Sequence, residues 1–140
     1  MLYSLIYTSQ ATVPLDKEAR RLLLTQARAY NTARHLTGVL LHADGHFLQI
    51  LEGAQEEVEA LFDRIQQDPR HEGIRVVVRG PVRRREFPHW GMGFSQLSYP
   101  ILARLRQLVR HSQAAVDSTR AALSLRDLLQ PFVLHAVAWE

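Results

Sequence analysis

The chain of 140 residues contains no cysteine, and this absence excludes several classes of protein at once. Without thiols there is no disulfide framework, no cysteine nucleophile and no zinc or iron–sulfur site held by cysteine. The chain also has no apolar run approaching the roughly 18–20 residues that cross a bilayer. Its N-terminus lacks the basic leader and small-residue cleavage site of a secretion signal. We therefore expect a cytoplasmic protein that does not enter the membrane.

Lysine is nearly absent as well, because Lys17 is the only one and the rest of the basic charge is arginine. Arginine is better suited than lysine to bidentate recognition of phosphate or carboxylate. The formal net charge is only +3, and so small a surplus over a whole domain does not require a nucleic-acid partner. A hydrophobic share of 46% and a charged share of 22% are typical of one globular domain.

Hydrophobic periodicity predicts alternating strands and helices along most of the chain. Asp16 is a candidate cap for the first helix, and the second helix ends at Asp68-Pro69. The pair Asp44-Gly45 joins two apolar runs and is a strong hairpin signal. The predicted strands cover residues 2–9, 37–43, 46–52, 73–82 and 87–94, with an exposed turn at 83–86 and two further helices at 100–111 and 117–135.

This order of elements predicts an α+β fold, a ferredoxin-like βαββαβ sandwich with an extra fifth strand and two C-terminal helices. Both helices of the βαββαβ unit then cover one face of the sheet. The C-terminal helices either cover the other face or make a contact with another subunit or partner. We expect residues 1–98 to form the functional domain and residues 99–140 to form a helical extension.

Three polar residues fall where the pattern predicts burial. Gln49 shares one strand face with Phe47 and Leu51, because side chains alternate with period 2, and apolar neighbours flank it on the other face. Tyr7 lies on the first strand, and Asn31 follows the apolar stripe of the first helix. A buried amide must use its donors and its acceptor. These groups therefore either bond to one another in the core or converge on a planar heteroaromatic ligand.

Five sequence strings surround these residues and continue beyond them. They are LIYTSQ at residues 5–10, LTGVL at 36–40, FLQILEG at 47–53, RIQQDPRH at 64–71 and RRREFPHWGM at 83–92. In this order and spacing they resemble the BLUF family, bacterial blue-light sensors that hold a flavin, usually FAD. The resemblance covers about residues 1–98, and the string around Gln49 is its most specific part.

The resemblance implies that the domain binds FAD noncovalently between its two helices, with FMN or riboflavin as alternatives. It implies that Tyr7 donates an electron and a proton to the photoexcited flavin, and that Gln49 lies between that phenol and the ring. Gln49 then rotates or tautomerises, and a stronger hydrogen bond to the ring carbonyl shifts the absorption slightly to the red. The residue types suit this chemistry, since a phenol is oxidisable and a neutral amide exchanges donor for acceptor by flipping.

Other positions match residues that line the flavin site of the family. Asn31 matches the side chain that pairs with the pyrimidine edge, and Arg64 occupies a position near the same edge, although it could instead lie along its helix. Arg70 and His71 match residues near the ribityl–phosphate end, where an arginine can pair with phosphate. An ordinary loop histidine is the alternative for His71. The remaining candidates are Asp68 in the same string and three apolar side chains expected to wall the ring, Leu40, Phe47 and Ile65.

Trp90 and Met92 match a fifth-strand pair that exchanges places when light is absorbed, so we expect them to carry the signal. Both are expected on one strand face, where ordinary core packing is the alternative. Tyr30 departs from the pattern, since some members have a second polar or imidazole residue there, and this bears on flavin stacking and recovery rate. After residue 98 we find no catalytic effector motif. We therefore expect a sensor, not an enzyme, that signals through a downstream protein and forms a homo-oligomer.

Two other interpretations compete with this one. A ferredoxin-like RNA-binding module is favoured by the arginine run at 83–85 and by residues 91–94, a fragment of the aromatic motif of such modules. An interaction domain without flavin is the other, although the intact polar residues argue against it. No hydrolase, nucleotide-loop or zinc-protease motif occurs. His42 and His46 beside the hairpin are expected to be exposed polar residues rather than metal ligands.

Overall fold

A computed structural model describes residues 1–118 of the chain, with side chains as far as residue 110. Strands and helices alternate in the predicted order, which confirms the α+β fold class. The elements are β1 (Leu2–Ala11), α1 (Lys17–Ala33), β2 (Thr37–Ala43), β3 (His46–Ala54), α2 (Gln55–Gln66), β4 (His71–Pro81), β5 (Gly93–Gln96) and α3 (Tyr99–Ser118).

The five strands form one mixed sheet in the order β4-β1-β3-β2-β5. All neighbours are antiparallel except β5, which runs parallel to β2. At the centre of the sheet, Tyr7 of β1 lies opposite Gln49 of β3, which in turn lies opposite Leu40 of β2. The predicted hairpin is confirmed, because Asp44 and Gly45 between β2 and β3 have φ values of 48° and 81°, as a tight type I′ turn requires.

The sheet separates two apolar layers. On one face, Tyr7 and Leu51 pack in the layer beneath α1 and α2. On the other face, Leu48 and Ile50 pack against Leu105 of α3. Each fully buried aliphatic side chain contributes about 1.5–3 kcal/mol relative to exposure. The α3 helix therefore covers the sheet face that the βαββαβ unit alone would leave open.

The two helices on the first face stand at different heights above the sheet. The backbone of α2 comes within 8 Å of β1, β3 and β4, whereas α1 makes almost no approach that close. The predicted cap of α1 is confirmed, since the Asp16 carboxylate accepts a bond from the Ala19 N–H at 2.8 Å. Within α1, Leu24 and Asn31 are the buried residues. The space left beneath α1 holds the candidate site.

The fifth strand is shorter and begins later than predicted. Residues 87–92 form turns, and β5 starts only at Gly93. Pro88 has no N–H for a strand ladder, and the Trp90 N–H bonds back to the Phe87 carbonyl at 3.3 Å. The Trp90 ring then folds over Gly93, where a Cβ atom would lie 2.5 Å from ring carbon Cε3.

The turns at residues 87–92 also overturn the expectation that Trp90 and Met92 share a face. Met92 is 1% exposed and packs in the layer beneath α1 and α2. Trp90 packs in the layer beneath α3, with its ring stacked on Phe87 at a centroid distance of 5.6 Å. Because the backbone turns between the two residues, they lie on opposite sides of the sheet.

Two residues predicted at the surface are instead held inside. Arg83 and Arg84 are exposed, as predicted. Arg85 is half-buried, because its guanidinium donates to the backbone carbonyls of His35 at 2.8 Å and Glu52 at 3.2 Å. His42 is 7% exposed, and its ring packs 5.0 Å from that of Phe47. Among the side chains that the structure describes, no group of three or more His, Asp or Glu residues is arranged to hold a metal ion.

The C-terminal region starts with one long helix. The α3 helix extends to Ser118, well beyond the predicted end at residue 111. The predicted helix at 117–135 otherwise lies outside the described residues, and the division into residues 1–98 and 99–140 stays a prediction. No helix in the described part of the chain is long and apolar enough to cross a membrane.

Candidate functional site

A cavity of about 320 Å³ lies between α1, α2 and the sheet. Its walls are mostly apolar, and polar groups from β1, α1, β3 and the α2–β4 connection face into it. The structure brings together here every residue that the resemblance assigned to the flavin, and Met92 with them. Those residues are Tyr7, Asn31, Leu40, Phe47, Gln49, Arg64, Ile65, Asp68, Arg70 and His71.

A chain of three side chains crosses the floor of this cavity. Tyr7 and Gln49 are 3% and 7% exposed, and the Tyr7 hydroxyl donates a hydrogen bond to Gln49 Oε1. The other end of the amide donates from Nε2 to the Met92 sulfur at 3.4 Å. Gln49 therefore accepts on one side and donates on the other, and its orientation is set by the partner on each side.

Burial keeps the Tyr7 phenol protonated. Removal from water raises the pKa of Tyr7 well above its usual range, and the negative charge of Asp68 raises the same pKa further. The ring packs against Phe62 with the centroids 5.5 Å apart, which fixes its position on the floor. The phenol proton is consequently held between Tyr7 and Gln49 at neutral pH.

Asn31 and Arg64 offer hydrogen-bonding groups on the helix side of the cavity. Asn31 is 1% exposed, and its Nδ2 donates to the Gly91 carbonyl at 2.7 Å. Its backbone carbonyl accepts from the Leu36 N–H at 2.9 Å at the end of α1. Within the described residues, Asn31 Oδ1 and the Arg64 guanidinium have no hydrogen-bond partner. An acceptor and a donor are thus available at this wall.

The opposite end of the cavity is built from charged and ring groups. The Arg70 guanidinium donates to both oxygens of Asp68, to Oδ1 at 3.0 Å and to Oδ2 at 2.6 Å, and lowers the pKa of that carboxyl. His71 Nε2 lies 2.7 Å from the Ile65 carbonyl, and Nδ1 lies 2.9 Å from the Ser9 hydroxyl. Since a carbonyl only accepts, Nε2 carries a proton, and in the neutral ring Nδ1 accepts from Ser9. Both ring nitrogens of His71 are therefore hydrogen-bonded, and the orientation of the ring is fixed.

Tyr30, which the sequence marked only as a departure from the family pattern, forms part of the cavity wall. Its ring lies against two guanidinium groups, with the Arg34 carbon 3.8 Å and the Arg64 carbon 4.3 Å from the ring centre. Such cation–π contacts hold a side chain in place at the edge of a site. They also place Arg64 at the wall rather than away along its helix.

The apolar stripe of α1 faces the cavity instead of a filled core. The stripe residues Ala19, Leu22, Leu23 and Ala27 all line it, and Leu22 remains 49% exposed at its mouth. Hydrophobic periodicity predicts the apolar stripe of this helix, but spacing alone does not distinguish a stripe that faces a filled core from one that faces a cavity. Trp90 is the one predicted site residue that does not line the cavity.

The donor and acceptor pattern fits a planar heteroaromatic ring. Leu40, Phe47 and Ile65 supply apolar surface, while Asn31 and Gln49 supply amide groups that can meet polar ring edges. The residues present therefore suit a flavin ring.

Comparisons with known proteins agree on one family. The family model described as "BLUF: Sensors of blue-light using FAD" matches residues 2–93. Photoactivated adenylate cyclase subunit beta of Euglena gracilis is 39% identical over 87 residues, which are 62% of this chain and 10% of that protein. This chain thus spans about a tenth of that relative.

Solved structures give the same result. The structure described as the BlsA photo-activated state matches with a TM-score of 0.70 and 29% identity, covering 100% of this chain and 97% of that one. Klebsiella pneumoniae BlrP1 with FMN and cyclic diGMP matches with a TM-score of 0.62 and 36% identity, covering 70% of this chain and 26% of that one.

Proposed function

The chain belongs to the BLUF family, the sensors of blue light that use FAD, and we propose that it is a blue-light receptor that works through Tyr7 and Gln49. The observation that carries this proposal is the buried hydrogen bond from the Tyr7 hydroxyl to Gln49 Oε1 on the cavity floor. An oxidisable phenol is thereby in contact with an amide that can exchange donor for acceptor by turning, within a cavity that suits a flavin.

A bound flavin supplies the absorption of blue light and a ring that accepts an electron. We propose that Asn31 and Arg64 hold the ring from the helix side, through the amide oxygen and the guanidinium. Leu40, Phe47 and Ile65 supply the apolar contacts for the ring. FAD is the cofactor that the family uses, and the similar structure of Klebsiella pneumoniae BlrP1 holds FMN.

Gln49 is the residue whose orientation can change after light is absorbed. Turning its amide by half a turn would bring Nε2 to the Tyr7 oxygen and Oε1 to the Met92 sulfur. Two acceptors would then face each other where a donor now meets the sulfur at 3.4 Å. Met92 must therefore move when Gln49 turns, and its flexible thioether chain permits this. The proposed output begins with that displacement.

We infer that the output reaches another protein or another copy of this chain. The Euglena relative is named a photoactivated adenylate cyclase, and only about a tenth of its length corresponds to this chain. We propose accordingly that this chain acts as the sensor and does not itself catalyse a reaction. RNA recognition on the sheet is not favoured, because α3 covers the face that such a module would use.

Absorption spectroscopy with Gln49→Glu tests the proposed role of the amide. The purified wild type should show a flavin spectrum that shifts modestly to the red under blue light and returns in darkness. Gln49→Glu should bind flavin but fail to shift, because an ionised carboxylate only accepts hydrogen bonds and cannot exchange donor for acceptor by turning. Gln66→Glu, the same change at the exposed end of α2, is the matched control and should shift normally.

Two results would contradict the proposal. A wild-type protein that cannot be loaded with flavin would leave a ferredoxin-like interaction module. A normal red shift in Gln49→Glu would remove Gln49 from the light reaction while leaving flavin binding intact.

A further inference from the structure

Residues 85–92, which we call the strap, connect the two sides of the sheet. The strap leaves the end of β4 and places the Phe87 side chain, 4% exposed, in the layer beneath α3. It ends at Met92, 1% exposed, in the layer beneath α1 and α2. Any displacement of Met92 is therefore made by the same short segment that carries Phe87 and Trp90.

The first end of the strap is held by a buried carboxylate on β3. Glu52 is 1% exposed and accepts bonds from the backbone N–H groups of Glu86 at 2.6 Å and Phe87 at 3.0 Å. The Thr37 hydroxyl also donates to Glu52, at 3.2 Å, and accepts from Arg85 at 2.8 Å. Charge-assisted bonds of this kind are about twice as strong as neutral ones.

The second end is held from α1 and from Gln49. The Gly91 carbonyl accepts from Asn31 at 2.7 Å, and the Met92 carbonyl accepts from Arg28 Nε at 3.1 Å. The Met92 sulfur accepts from Gln49 at 3.4 Å. The Glu52 and Gln49 side chains point to opposite faces of β3, since they are three residues apart. Side chains of β3 are therefore hydrogen-bonded to both ends of the strap.

We propose that Glu52 is a positioning residue that fixes the first end of the strap, so that movement of Met92 at the second end is transmitted to Phe87 and Trp90 against α3. This rests on the proposed function, because it takes the reorientation of Gln49 as the source of the movement. A segment fixed at its first end passes a displacement of its second end to the residues between them, whereas a segment released at its first end absorbs the displacement. Without the Glu52 bonds, the movement of Met92 would not reach Phe87 and Trp90.

The buried environment supports a structural task for this carboxylate. Removal from water raises the pKa of Glu52, although the N–H groups of Glu86 and Phe87 act in the opposite direction. An ionisable group kept at 1% exposure must be satisfied by its partners. Its partners are all in the strap or in Thr37, where the strap passes.

Glu52→Gln tests the proposal. An amide has one acceptor oxygen, so one of the two strap N–H groups loses its partner in either orientation. Amide hydrogen exchange at residues 86 and 87 in the dark should then be about tenfold faster or more. The variant should still bind flavin and shift to the red. With Trp139→Phe as background, Trp90 is the only tryptophan, and its light-induced change in emission should be lost.

The outcomes separate this proposal from the proposed function. Glu56→Gln, on the exposed side of α2, is the control and should behave as the wild type. Unchanged exchange at residues 86 and 87, or an undiminished light-induced change at Trp90, would overturn the role of Glu52. A wild type without a red shift would refute the proposed function, and with it the transmission. The dark exchange rates would still decide whether Glu52 fixes the strap.

A second variant covers the case in which Glu52→Gln does not fold. Thr37→Val keeps the shape of the side chain but removes the hydroxyl that joins Arg85 to Glu52. It should weaken the light-induced change at Trp90 in part while leaving the red shift intact. Thr37→Ser restores a hydroxyl and should restore that change, and equal behaviour of the two variants would contradict the proposal.

Discussion

Replacing Tyr7 by phenylalanine should abolish the light response and weaken flavin binding while leaving the fold intact. The substitution removes one oxygen and keeps the ring that packs 5.5 Å from Phe62. The lost bond leaves Gln49 Oε1 without its donor. In the flavin-free protein, water in the cavity of about 320 Å³ can replace that donor, so the loss of stability should be about 0.5–1 kcal/mol.

The loss should be larger once flavin fills the cavity and excludes that water. A buried acceptor without a partner costs about 1–3 kcal/mol. The difference between the two states is about 1–2 kcal/mol. It must appear as weaker flavin binding, because a substitution that destabilises the loaded protein more than the flavin-free protein lowers the affinity by that difference. Since 1.4 kcal/mol is about tenfold, flavin affinity should fall roughly fivefold to thirtyfold.

Urea unfolding of the flavin-free and flavin-loaded proteins, together with flavin titration, measures these quantities. Tyr3→Phe is the matched control, because Tyr3 lies on the same face of β1, is 6% exposed and bonds to Arg79 outside the cavity. Its loss of stability should be equal in the two states. The reasoning is refuted if Tyr7→Phe destabilises both states equally, or if it retains the red shift.

Two further predictions concern the strap and the charged end of the cavity. Gly93→Ala should cost about 1–3 kcal/mol and change the emission of Trp90, because the new Cβ would lie 2.5 Å from ring carbon Cε3; Gly91→Ala, whose Cβ would meet its nearest atom at 3.4 Å, is the control in chemical unfolding. A normal Trp90 emission in Gly93→Ala would contradict the ring position. The pKa of Asp68 is lowered by Arg70, so its stabilisation is present above the unfolded pKa of about 3.9 and is lost as the pH falls through the folded pKa. Asp68→Asn should therefore be less stable than the wild type at pH 7 by under about 1 kcal/mol, and equally stable in strong acid; a difference independent of pH would show that the carboxylate charge does not matter.

Most of the fold followed from local patterns, because the signals act over short distances. The period-2 alternation placed Tyr7 and Gln49 on inward faces, and the structure confirms that they face one another across β1 and β3. Asp16 and the Asp44-Gly45 turn work through their own backbone neighbours, so they too could be predicted. The fifth strand could not, because Trp90 leaves the strand to pack on Phe87 and α3.

The sequence by itself determined the order of elements, the inward residues and the strings that mark the family, since each depends on neighbours along the chain. Only the tertiary structure decided that the α1 stripe walls an open cavity, that Met92 bonds to Gln49, and that Glu52 holds the strap. Those contacts join residues more than thirty positions apart. They depend on how far α1 stands from the sheet and on where the chain turns after β4, which are fixed by packing across the whole domain rather than by any local pattern.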